Sequence, residues 1–174
     1  EFILKEFNEY IYLLTSYDQI NDAISSNKPI VLSLNDKLIK KTKTNLTNLE
    51  HLSLISMSNF FITAPGADMP LCHHFIECIK LKSIPITSCN EFLSPSLNKE
   101  DHISFNNFEQ LNFAIKTALS MDQKKIFQIQ NNLDKFYKNN LSPNSFFEKF
   151  ENRKTNNIVA CNDVESVERY NKYI

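Results

Sequence analysis

Apolar positions along this chain fall into two rhythms. Short continuous runs at residues 11–15, 30–34, 60–63, 84–86 and 103–105 have the length and the β-branched or aromatic content of strands. Between them the spacing turns helical. Ile20, Ala23 and Ile24 recur within residues 17–26, and Leu49, Leu52, Ile55 and Met57 are expected inward on a helix over 49–58. Phe108, Leu111, Ala114, Ile115 and Ala118 share one face of residues 108–120. Asp122 begins a further helix with Ile126, Ile129, Leu133, Phe136 and Tyr137 inward, which ends before Pro143. A short helix over 145–150, a strand at 157–161 and a terminal helix over 164–173 capped by Asp163 follow. The run at 30–34 is continuously apolar, as in parallel strands buried on both faces. Strand and helix alternate, which predicts an α/β fold: a Rossmann-like, mostly parallel sheet flanked by helices.

Composition narrows the function classes. At 174 residues and 42% hydrophobic content the chain can bury a normal core, and residues 1–174 are expected to form a single domain. A dispersed net charge of −1 offers no electrostatic footprint for nucleic acid or an anionic membrane. No apolar run approaches the roughly 18 residues that span a bilayer, so a soluble, cytoplasmic chain is expected. Residues 35–48 are polar and lysine-rich; without a glycine-rich turn beside them they predict a solvated loop rather than a phosphate site. The single glycine, the lack of tryptophan and the abundance of Asn, Lys and Ile reflect nucleotide bias rather than chemistry. The opening EFILKEFNEY carries no initiator methionine, and the chain is expected to be part of a longer protein.

Chemistry concentrates in residues 60–86, FFITAPGADMPLCHHFIECIKLKSIPI. A strand runs into a turn at Pro65 and Gly66, a helix starts near Pro70, and a second strand follows, so the stretch predicts a βαβ unit. Gly66 is the only glycine in the chain and sits where the backbone must bend or let a ligand approach. Pro70 suits a first helical turn, and Asp68 is the N-cap candidate. A helix start at the carboxyl end of a parallel strand presents unpaired N–H groups to the crevice above the sheet, where phosphates bind. Glu77 lies about 10 Å along the axis from that start, at ~1.5 Å per residue. Loops at strand ends carry ligand contacts, which makes Thr87, Ser88 and Asn90 contact candidates.

The run Pro65, Gly66, then Met69, Pro70, Leu71, Cys72, His73, His74, Phe75, Ile76, Glu77, then Ile84, Pro85, Ile86 resembles the donor-site segment of GT-B glycosyltransferases. It is most similar to the exostosin-like and bacterial surface-polysaccharide branches, which share the Pro-Gly turn, the Pro-Leu-Cys helix start, the glutamate and the Ile-Pro strand. Phe92 and Pro95 resemble the segment that follows, and from there to Phe150 the likeness is diffuse. The resemblance implies one half of a GT-B fold: a nucleotide-sugar donor-binding domain whose chemistry occurs in the cleft with a second, acceptor-binding domain. It implies that Glu77 grips the ribose and that the backbone of Met69, Pro70, Leu71 and Cys72 faces the diphosphate, with His74 as a further diphosphate contact and Gly66 among the substrate-binding residues. It also implies transfer of sugar to a glycan acceptor in surface polysaccharide or lipopolysaccharide synthesis, with no obligatory metal or other cofactor. Two positions depart from the pattern. His74 stands where an arginine is common, and Lys82 stands where the family tends to have glycine at the helix end.

Other constellations are weaker. Cys72 and Cys78 are about 600° apart on a helix, so they do not face one ion, and His74 with Cys78 offers two ligands where a closed zinc site wants four. No metal ligands are therefore assigned, and no catalytic residue is named. One of the adjacent His73 and His74 is expected to face the crevice and the other the sheet. No Ser-His-Asp order and no glycine-rich phosphate loop is present. The isolated chain is expected to bind nucleotide without transferring sugar. Two alternatives stay open: a non-catalytic α/β binding or assembly module derived from the same fold, and a response-regulator-like domain, for which Glu9 and Asp18 supply no convincing acidic cluster.

Overall fold

A computed structural model of the chain describes residues 2–14, 16–33, 46–63, 73–88 and 97–145. In order, these form α1 (Phe2–Glu6), β1 (Ile11–Leu14), α2 (Ile20–Ser25), β2 (Ile30–Ser33), α3 (Asn48–Met57), β3 (Phe60–Thr63), α4 (His73–Lys80), β4 (Ile84–Thr87), β5 (Ile103–Ser104), α5 (Phe108–Ser120) and α6 (Gln123–Phe136). A π-helical turn over Tyr137–Leu141 extends α6. The loop expected at 35–45, the Pro65-Gly66 turn, the helix start at Pro70 and the elements expected beyond residue 145 lie outside the described residues.

All the described strand pairs are parallel. β1 pairs with β2, and β4 lies between β3 and β5. The molecule is thus an α/β protein whose parallel strands are flanked by helices, compatible with a Rossmann-like fold. β4 is the innermost strand, with all four residues buried. β2 differs from expectation: its exposure alternates, and Val31 is 43% exposed, so only one of its faces is covered.

Pro85 sits inside this central strand, where a missing N–H is normally excluded. Ile84 donates its N–H to Asn59 beside β3, and in a parallel ladder successive residues bond to alternate sides. The absent donor of Pro85 therefore faces β5, whose pairing starts one residue later, at Ile86 with Ile103. The proline lies in the part of β4, Ile84 and Pro85, that has no partner in β5.

The helix starts are set locally. Thr47 and Glu50 form a capping box at α3, Asn107 caps α5 through the N–H of Gln110, and Asp122 caps α6 through that of Lys125. α4 ends in a Schellman turn: the N–H of Ser83 reaches the Cys78 carbonyl at 2.9 Å and that of Lys82 reaches the Ile79 carbonyl at 3.2 Å. Lys82 holds the left-handed position of that turn, with φ of 62°.

Two buried clusters unite the elements. Phe75 and Ile79 of α4 pack with Ile84 of β4 and with Ile126, Ile129 and Leu133 of α6. Ile86 of β4 packs with Phe7 and with Leu111, Ala114, Ile115 and Ala118 of α5, against Ile11 of β1 and Ile30 of β2. Phe60 of β3 touches both clusters. The inward positions of α5 and α6 therefore largely follow the apolar periodicity, with particular exceptions. Leu49 is 76% exposed and Met57 52%, because the apolar residues of α3 are spread around the helix and only Ile55 is fully buried. Ile24 is also exposed, leaving Ala23 as the buried residue of α2. Phe108, expected inward, is exposed on the first turn of α5 and stacks on Phe2, with ring centroids 5.1 Å apart.

Candidate functional site

α4 is amphipathic by construction. Phe75, Cys78 and Ile79 are buried, which fixes the rotation of the helix about its axis. His74 and Glu77, three residues apart, consequently share a face that is only partly covered, with side chains 36% and 31% exposed. His74 Nδ1 lies 2.9 Å from Glu77 Oε2, a hydrogen bond to the carboxylate when that nitrogen carries its proton.

The third member comes from α3. The capping box starts that helix at Thr47, and one turn later His51 projects its Nε2 to 3.2 Å from the same Nδ1 of His74. The two imidazole centroids are 4.7 Å apart with their planes tilted at 56°, and Phe61 of β3 lies 5.7 Å from His51 in a T-shaped contact. His73 stacks beside His74 at 4.0 Å but is itself exposed. Burial, and then the neighbouring His74, lower the pKa of His51 below its ordinary 6.5, against the opposing pull of Glu77.

Chemically, three potential donor atoms converge here: two imidazole nitrogens and one carboxylate oxygen, all within 4.8 Å of one another. The carboxylate can also accept hydrogen bonds from hydroxyl groups, held in place by the adjacent imidazole.

Of the residues expected to bind substrate, His74 and Glu77 are thus brought together. Gly66, Met69, Pro70, Leu71, Cys72, Asn90, Phe92 and Pro95 lie outside the described residues. Thr87, at the end of β4, is 1% exposed. Ser88, directly after β4, is partly exposed. Of the adjacent histidines, His73 is exposed and His74 is partly covered, 6.5 Å from the ring of Phe61 in β3, while the buried face of α4 belongs to Phe75, Cys78 and Ile79. Cys78, which shares a helical face with His74 by spacing, is wholly buried. His51 carries no sequence signal of its own. A lone histidine in the first turn of a helix has many roles, and only the packing of α3 on α4 joins it to the pair.

A separate cavity of about 250 Å³ is lined by Asn98, Asp101, Asn132, Lys135 and Asn139 among others, and includes none of the expected site residues. Among the described residues, no helix is long and apolar enough to cross a membrane. Compared with protein-family models, characterised proteins and solved structures, the chain matches none of them.

Proposed function

We propose that this chain is the nucleotide-sugar-binding half of a GT-B glycosyltransferase, acting in the cytoplasm on the synthesis of a surface polysaccharide or lipopolysaccharide. The observation that carries the reading is the Glu77 carboxylate: it sits on the open face of the helix in a parallel β3-α4-β4 unit, aligned by His74, within the stretch that resembles the GT-B donor segment. A partly exposed carboxylate held by an imidazole suits the two hydroxyls of a ribose, which donate hydrogen bonds to its oxygens. In this reading the helix start and its backbone N–H groups take the diphosphate, and they stabilise the leaving nucleotide as negative charge develops on it. A second domain supplies the glycan acceptor and the base that activates it.

A binding module without transfer activity is the second reading. His74 stands at the place of an arginine, and its Nδ1 is engaged by Glu77 and His51, which leaves less positive charge for a diphosphate.

Calorimetric titration with a panel of nucleoside diphosphates, UDP first, tests the proposal. Wild-type chain binds at least one of them, and Glu77→Ala weakens that binding about tenfold or more while the melting temperature stays nearly unchanged. Equal affinity in Glu77→Ala, or no binding of any member of the panel, overturns it.

A further inference from the structure

The contact between His51, His74 and Glu77 poses a problem of protons. His74 Nδ1 has a single in-plane site, which holds either a hydrogen or a lone pair, yet it faces two partners: Glu77 Oε2 at 2.9 Å and His51 Nε2 at 3.2 Å. With a hydrogen, it satisfies the carboxylate and leaves the His51 nitrogen at the margin of a shared bond. With a lone pair, it meets the electron-rich carboxylate unfavourably. A positive ion at the point where the three atoms converge gives each of them a partner.

The distances suit such an ion. Zinc–nitrogen and zinc–oxygen bonds run at ~2.0–2.2 Å, so two donors of one ion lie about 3.0 Å apart at a right angle and about 3.4 Å apart at the tetrahedral angle. The observed 2.9 and 3.2 Å are of this size. The third separation is at most 4.8 Å, and Glu77 is exposed enough for its carboxylate to rotate and close it.

We propose that His51 Nε2, His74 Nδ1 and the Glu77 carboxylate form a binding site for a divalent transition metal of the zinc type. Two imidazoles and one carboxylate favour such an ion over Mg²⁺ or Ca²⁺, which prefer oxygen ligands. Three protein ligands on a part-exposed face leave further coordination positions to solvent, as in open rather than closed structural sites. The ligands come from two helices, so the ion clamps α3 to α4. The site goes beyond the nucleotide reading and stands or falls without it, since it is tested with metal alone.

The experiment is titration of the metal-stripped full chain with Zn²⁺ by calorimetry, with Co²⁺ as a spectroscopic probe. Zn²⁺ is expected to bind and to raise the melting temperature, Mg²⁺ to leave that temperature unchanged, and Co²⁺ to give visible ligand-field bands that Zn²⁺ abolishes. His51→Gln and Glu77→Gln each weaken Zn²⁺ binding by about tenfold or more, with helical circular dichroism retained. His51→Gln is the decisive variant, because it lies on α3 and leaves the His74–Glu77 contact in place. An absence of Zn²⁺ binding, or an affinity unchanged in His51→Gln, overturns the proposal.

Discussion

His51 and His74, 23 residues apart in sequence and on separate helices, meet with their ring nitrogens 3.2 Å apart. The position of His51 depends on where α3 begins, and the Thr47–Glu50 capping box one turn earlier sets that start. Thr47→Ala removes the acceptor for the Glu50 N–H and is expected to cost about 1 kcal/mol of stability. The same change should loosen His51. A nitrogen-detected titration of the His51 ring would then show the His74 contact weakened. An unchanged unfolding midpoint would mean that packing of Ile55 alone holds the helix.

Lys82 gives a sharper backbone test. Its φ of 62° is the left-handed conformation that a side chain disfavours and that glycine adopts freely at a helix end. Lys82→Gly and Lys82→Ala both lose the 3.7 Å approach to Asp134, so that solvent-screened contact cancels in their comparison. The two variants differ mainly in backbone strain, so Lys82→Gly should be the more stable by about 1 kcal/mol in denaturant unfolding.

Asp101 is 3% exposed, and its carboxylate accepts hydrogen bonds from Asn132 at 2.8 Å and from Asn98 at 3.3 Å. Asn132→Ala takes away the shorter bond and leaves a buried oxygen unsatisfied, at an expected cost of ~1–3 kcal/mol. The measurement is the urea midpoint at constant slope. Restoration by Asp101→Asn in the same background would be a signature of that bond rather than of lost packing.

Acid should destabilise the fold through His102. Its burial lowers the pKa below the ordinary 6.5, outweighing the Asn98 carbonyl and the Asp101 charge, which pull the other way. Between that lowered value and 6.5 the unfolded chain binds more protons than the folded one, so stability falls as pH drops through 6.5. The loss levels off below the folded pKa. Thermal melts across this window should show a shallower pH slope in His102→Gln than in wild type.

Much of this architecture was legible in the apolar rhythm. Continuous runs mark β3 and β4 because strands enclosed by helices have no polar face to declare, and the spacing of Leu111, Ala114, Ile115 and Ala118 marks the inner side of α5. Periodicity fixes a face but not how far the neighbour extends along it. Phe108 and Leu49 lie on the first turns of their helices, where cover runs out, and both are exposed. The site was half legible. His74 and Glu77 fall together because three residues on a helix share a face, whereas His51 reaches them only through tertiary packing of α3 against α4.

Pro85 has a further consequence for how the sheet assembles. Parallel strands joined by helices can slip along one another, and a slip by one residue would turn every side chain of the moving strand to the wrong side. A β5 shifted toward the start of β4 would set a carbonyl oxygen against a backbone nitrogen that has no hydrogen to donate. The proline thus acts as an end-stop against that misalignment, in addition to the buried packing its ring supplies in the finished sheet.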